Sequence, residues 1–220
     1  GGSAPGEVSR AGQGGAVDAK RGRIGLFGGS FDPVHNGHLA AARRAREAGG
    51  LDEVVFIPAA ASPLKVGRMV APDADRLAML RLAIADESAF SVSDYEIAKA
   101  GVSYTIDTVR HFETAWPGVR LVLIIGADSL ATLHRWREAE ALAGLCEILT
   151  LARPGWPVDR VPGFEGETAA RLLAGVVEDF SQDVSSSEVR RRLEAGRSVD
   201  GIVPAAVAAY IRGKNLYVSV

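Results

Sequence analysis

The chain has 220 residues, 47% of them hydrophobic, with a formal net charge of -2 at pH 7 and a pI near 6.1. That is enough apolar material for one large globular unit, and the near-balanced charge gives no general attraction to nucleic acid or to an acidic membrane. A single cysteine, Cys146, excludes an intrachain disulfide. No apolar run reaches the ~20 residues that span a bilayer, and no basic-then-apolar leader opens the chain. The expectation is a soluble, cytoplasmic protein without a nucleic-acid or membrane partner, and composition specifies no oligomeric state.

The opening "GGSAPGEVSRAGQGGAVDAK" is rich in Gly, Ala and Ser without a periodic apolar face, so residues 1–21 are predicted as a mobile tail ahead of one domain over 22–220. From Arg23 the pattern alternates. "RIGLFGG" predicts a strand, "GHLAAARRAREAGG" a helix stopped by paired glycine, "EVVFIPA" a strand and "PDADRLAMLRLAIAD" a helix. "AFSVSD" follows as a short strand, and "YTIDTVRHFETAW" as a helix closed before Pro117. "VRLVLIIGAD" is almost wholly apolar, as a central parallel strand covered on both faces must be, and "CEILTLARP" reads as a further strand in which Cys146 packs as a small apolar group.

Beyond a Pro- and Gly-rich connection, "ETAARLLAG" predicts a helix, "VVEDF" a short apolar piece, and "SSEVRRRLEAG" and "PAAVAAYIRGK" two last helices. The alternation predicts an α/β, doubly wound (Rossmann-like) parallel sheet, with helices on both faces and helices at the C-terminal end. Ligands of such sheets sit beyond the carboxyl ends of the strands. The loops after Phe27, Pro58, Gly126 and Phe180 are therefore expected to converge.

The first of these loops, "GGSFDPVHNGH" at 28–38, matches neither G-x-x-x-x-G-K-[ST] nor G-x-G-x-x-G. Gly28 and Gly29 allow main-chain N–H groups to approach a ligand through Ser30 and Phe31, Asp32 and Pro33 make a turn, and a helix begins near Gly37. His35 and His38, three apart, can face one side and touch oxygens of one polyphosphate. The bland alternative is a turn with two surface histidines. A zinc site from Asp32, His35 and His38 lacks an obvious fourth ligand.

Other loops carry weaker signals. Gly126 permits close approach, and Asp128 either bonds sugar hydroxyls or caps the next helix. Tyr104 and Thr105 start a helix whose free amides suit a carboxylate, with Ser103 as a plain cap in the bland account. Trp136 offers a flat aromatic face or simply packs. Ser185 and Glu188 form an S-x-x-E capping box, with Ser186 and Ser187 hydroxyls spare and Arg190 one turn in.

The string "GGSFDPVHNGH" resembles the H-x-G-H signature of the nucleotidyltransferase superfamily. The further blocks "PAAASPLK", "RLAMLRLAIA", "SYTIDTV", "IIGADSL" with Trp136 following, "ARPG", "VSSSEVR" and "VPAAVAAYI" with "NLY" resemble, in order, the bacterial nicotinate mononucleotide adenylyltransferases from about Arg23 to Tyr217. One position departs: the family loop commonly ends Pro-Pro-His-Lys, whereas this chain has Ser62-Pro63-Leu64-Lys65, and leucine cannot donate to a phosphate.

The resemblance implies transfer of the adenylyl group of ATP to nicotinate mononucleotide, releasing pyrophosphate, with Mg²⁺ arriving on the ATP and no protein-held metal. His35, His38, Lys65 and Arg190 would then carry the catalytic charge neutralisation. Gly28, Gly29, Ser30, Phe31, Gly126, Asp128, Ser185, Ser186 and Ser187 would bind ATP, and Tyr104, Thr105 and Trp136 the mononucleotide. The alternatives are a related enzyme of pantetheine-phosphate type, or a nucleotide-sensing protein that binds without turnover.

Overall fold

The computed structural model describes residues 22–60, 71–99, 101–152, 158–178, 180–181 and 184–218, with the backbone of 8–10. The strands are β1 (Val8–Arg10), β2 (Arg23–Gly29), β3 (Glu53–Pro58), β4 (Phe90–Ser93), β5 (Arg120–Gly126), β6 (Glu147–Leu151) and β7 (Val176–Val177). They form one sheet in the order β1-β4-β3-β2-β5-β6-β7. β2 through β7 pair in parallel, and β1 joins the β4 edge antiparallel. The doubly wound parallel sheet predicted from the alternation is therefore present. Three residues inside the segment read as a tail add an edge strand that its Gly/Ala-rich composition did not signal.

The sheet is covered on both faces, and the strand sequences state why. On β3, Val54 and Phe56 enter one core cluster while Val55 and Ile57 enter the other; on β5, Val122 and Ile124 face the first and Leu121, Leu123 and Ile125 the second. Every residue of β3 is buried. Alternation between two apolar faces reads in sequence as an unbroken apolar run, which distinguishes a parallel core strand from an amphipathic one.

On the first face lie α1 (Asn36–Gly49), α2 (Asp73–Ala83), α8 (Ser186–Glu194) and α9 (Ala205–Lys214), contributing Leu39, Leu80, Val189 and Ile211. On the second lie α4 (Thr105–Ala115), α5 (Ala127–Thr132), α6 (Ala139–Leu145) and α7 (Gly166–Ala174), contributing Ile106, Leu130, Leu142 and Leu172. A one-turn helix, α3 (Tyr95–Lys99), follows β4. α1 ends where predicted: Gly50 takes the left-handed conformation (φ 57°, ψ 44°) and its N–H reaches the last carbonyls, a geometry that costs a residue with Cβ more than it costs glycine.

Winding reverses between β2 and β5, the neighbouring strands from which the chain departs in opposite directions across the sheet. Such a reversal splays the loops apart and opens a crevice at the carboxyl ends of these two strands. Cys146 caps α6 and is only partly buried; its Sγ donates to the Leu142 carbonyl at 3.7 Å, and burial pushes the thiol up to about 12, so it stays protonated and inert.

Candidate active site

Two cavities, each of about 290 Å³, flank the crevice and share Phe27, Gly28, Gly29, Ile125, Gly126 and Ser129. The first extends from these shared residues to Ser30, Phe31, His38, Asp128 and Phe180; the second runs to Ala59, Glu96, Ser103, Thr105, Thr108 and Trp136. The loops after Phe27, Pro58, Gly126 and Phe180 thus converge as expected. Gly28 stands at the partition, and a Cβ added there would meet nothing within 4 Å. At Gly126 a Cβ would lie 2.7 Å from the Asp128 carboxylate, so glycine here leaves room for that side chain beside the crevice.

His38 faces the first cavity, while His35 stands one layer behind it with 1% of its surface exposed. The rings stack at 3.7 Å with 23° between planes, and the Phe31 ring packs edge-on against His38 from 4.9 Å. The His35 N–H donates to His38 Nδ1 at 3.2 Å. With Nδ1 accepting, a neutral His38 carries its proton on Nε2 and is a donor there. Burial holds His35 down to about 4, and burial together with His35 holds His38 well below the ordinary histidine range. Both imidazoles are therefore uncharged in the free protein near pH 7, and a pair expected to bring positive charge brings a preset dipole instead.

Asp32 organises the loop beneath. Its Oδ1 accepts from the Tyr217 hydroxyl at 2.6 Å and from the Ala71 N–H at 2.9 Å, and the Asp32–Pro33 peptide is cis. The Arg190 guanidinium donates to the Asp32 main-chain carbonyl, stands 3.6 Å from its carboxylate and donates to Ser187 Oγ at 3.1 Å. Ser186 Oγ donates to the Pro33 carbonyl at 2.9 Å. Asp32 Oδ1 is thus engaged by Tyr217 and Ala71, and His38 Nδ1 by a main-chain N–H. Among the described residues no group of three or more His, Cys, Asp or Glu gathers as metal ligands.

The capping box is half formed. Ser185 Oγ accepts from the Glu188 N–H at 3.2 Å, but the Glu188 carboxylate turns to Arg191 and Arg192 rather than back to the cap. Two arginines within one turn outcompete a single N–H for a carboxylate. Ser185 and Ser187 are exposed and Ser186 half-buried, all beside the histidine loop.

Two predicted residues, Phe31 and Tyr104, play other parts than their side chains suggested. The Phe31 ring is buried and its φ is +45°, so it offers the cavity backbone and supports His38 from below. Tyr104 is 40% exposed, with the Arg137 guanidinium 4.6 Å above its ring, and does not line the second cavity; Thr105 does, as does half-buried Trp136. Lys65 lies outside the described residues. Ser103 Oγ is buried without a partner beside the start of α4, an unmet donor at that end of the second cavity.

Sequence reasoning missed Arg76. It is 1% exposed, and its guanidinium donates to the Ser30 and Ala59 carbonyls at 2.6 Å each and pairs with Asp73. It thus ties the loop after β2 to the loop after β3. The available signal was its place four residues before Leu80, on the apolar face of α2, where an arginine is tolerated only with partners for its charge.

A cytidylyltransferase-like family model matches residues 26–192. A protein of Herpetosiphon aurantiacus named "Probable nicotinate-nucleotide adenylyltransferase" is 45% identical over 203 residues, covering 90% of this chain and 99% of its own. A Thermus thermophilus protein of the same name is 44% identical over 197 residues, covering 89% and 99%. Among solved structures, the Plasmodium falciparum nicotinic acid mononucleotide adenylyltransferase complexed with NaAD superposes with a TM-score of 0.72 at 18% identity, over 90% of this chain and 98% of that one, a likeness of fold. With two relatives above 40% identity along nearly their whole length, the chain belongs to the nicotinate-nucleotide adenylyltransferases, within the cytidylyltransferase-like family.

Proposed function

We propose that the two cavities are the two halves of one reaction site: ATP in the His38 cavity, nicotinate mononucleotide in the Trp136 cavity, and the reacting phosphates meeting over Gly28. The reaction transfers the adenylyl group of ATP to nicotinate mononucleotide, giving nicotinate adenine dinucleotide and pyrophosphate, a step of NAD biosynthesis. The observation that carries this reading is the shared wall of the cavities, Gly28, Gly29 and Gly126, which brings two ligands into contact at the winding reversal.

A phosphate monoester is itself a nucleophile, largely dianionic near pH 7 with a second pKa of about 6. No activated serine or cysteine is needed. Its oxygen attacks the α-phosphorus of ATP, the bond to the bridging oxygen breaks, and pyrophosphate leaves with that electron pair. ATP enters as its Mg²⁺ complex, so the ion belongs to the substrate and neutralises phosphate charge.

The chain's own residues position and polarise. His38 Nε2–H donates to the triphosphate; His35, stacked behind, fixes its ring plane and through its N–H its tautomer. Arg190 supplies the fixed positive charge, Lys65 is the second candidate cation, and Ser185, Ser186 and Ser187 serve the phosphates at the start of α8. Asp128 suits a sugar hydroxyl. Trp136 takes the pyridine ring, and Ser103 with the first amides of α4, next to Tyr104 and Thr105, suits the carboxylate.

Pyrophosphate release tests the reading. Purified protein with MgATP should release it rapidly with nicotinate mononucleotide and more slowly with nicotinamide mononucleotide. Release with neither, beside tight ATP binding, would make the chain a nucleotide-sensing protein.

A further inference from the structure

The mononucleotide cavity contains one feature that holding a ring and a carboxylate does not explain. Glu96, on α3, is the one ionisable side chain among the described residues lining it, and no lysine or arginine stands among them. Thr108 Oγ1 donates to Glu96 Oε1 at 2.7 Å, and Thr108 is itself buried on α4. The neighbouring charges are already committed: Lys99 pairs with Asp107 at 3.2 Å, and His111, held below its ordinary range by burial, stacks on Tyr95 at 3.7 Å. An ionised carboxylate with one hydrogen bond retains most of its acceptor capacity, and a half-buried one whose neighbouring cation, Lys99, is already paired with Asp107 gains from a further positive charge in the cavity.

We infer that Glu96 is the counter-ion of the substrate's pyridinium ring and makes the cavity selective for the cationic, oxidised form of that ring. The inference rests on the substrate reading above. A pyridine that carries ribose on its nitrogen bears a fixed positive charge at every pH, and Trp136, in the same cavity, presents an aromatic face that favours a cation as well. Burial raises the Glu96 carboxyl, while the Thr108 hydrogen bond and Lys99 act the other way; a fixed cation alongside adds to the second effect and keeps the group ionised. The substrate carboxylate then belongs at the opposite pole, with Ser103 Oγ and the α4 amides. A ring positive at its nitrogen and negative at its carboxylate would meet matching charges at both.

The test compares equilibrium binding of nicotinate mononucleotide with that of its ring-reduced dihydropyridine form, which keeps the carboxylate, ribose and phosphate but loses the ring charge. Wild-type protein should favour the pyridinium form on the order of tenfold. Glu96→Gln should lose most of that preference, Glu96→Asp should keep much of it, and Thr108→Val, which leaves the charge in place, should keep it too. ATP binding by each variant reports that the fold is intact. An unchanged preference in Glu96→Gln would overturn the inference, as would equal wild-type binding of the two ring forms, which needs no variant. Wild-type protein that binds ATP but neither mononucleotide would instead overturn the substrate reading, and this inference with it.

Discussion

Arg190 on α8 donates to the main-chain carbonyl of Asp32, 158 positions earlier and three residues before His35. That bond joins the C-terminal helices to the histidine loop and holds a guanidinium where triphosphate charge would collect. Arg190→Ala should therefore lower kcat on the order of a hundredfold or more, corresponding to the ~2.7–4 kcal/mol lost with one preorganised donor. Nicotinate mononucleotide binding should change little. Arg190→Lys should recover only part of the rate, since an ammonium keeps the charge and loses the fork that reaches both Asp32 and Ser187. Steady-state kinetics on the two variants check this, and equal rates for Lys and Ala would show that charge alone counts for nothing here.

Gly28 separates stability from activity. Its Cβ position is open space between the two cavities and its backbone is not left-handed, so Gly28→Ala should melt within a degree or two of wild type. The added methyl would occupy the junction where the reacting phosphates meet, so kcat/KM should fall steeply. Gly29→Ala is the contrast, because its Cβ would press on the Phe31 ring at 3.0 Å and disturb the support of His38. Calorimetry beside pyrophosphate release distinguishes the two.

Acid should weaken the fold through the histidine pair. His35 titrates at about 4 when folded against 6.5 when unfolded, so between these values the unfolded chain holds a proton that the folded chain lacks. Stability attributable to His35 is thus complete above about pH 6.5 and falls as pH drops toward 4, by about 3 kcal/mol over the window. His38 acts in the same direction. Urea denaturation from pH 7.5 to 4 should show the decline, and His35→Asn should flatten it; parallel profiles would mean that other groups dominate.

Trp136→Ala should raise KM for nicotinate mononucleotide and spare KM for ATP, because the indole lines only the second cavity. Equal effects on both substrates would count against ring stacking.

The fold was legible because its determinants are local and repeated. The apolar runs of β3 and β5, the Gly50 stop after α1 and the proline before α2 each declare an element by themselves, and the alternation of strand and helix declares the sheet. α3, α5 and α6 were not legible, being too short for a helical period to register against the apolar strands beside them. At the candidate site, the glycines, His38 and Trp136 line the two cavities. What the sequence hid is depth: His35 standing behind His38, the Phe31 ring turned inward, Tyr104 turned out to Arg137. Each depends on which neighbour claims a side chain, and that neighbour is remote in the chain, as Tyr217 is from Asp32 and Arg76 from Ser30.

A neutral His38, fixed as an Nε2–H donor by the His35 main chain, is proposed to act on the triphosphate as pyrophosphate departs. Pyrophosphate release by His38→Ala, measured at saturating MgATP and nicotinate mononucleotide beside the Kd of the mononucleotide, tests it most directly. The expected result is a kcat lower on the order of a hundredfold or more with that Kd unchanged. An unaltered kcat would contradict it.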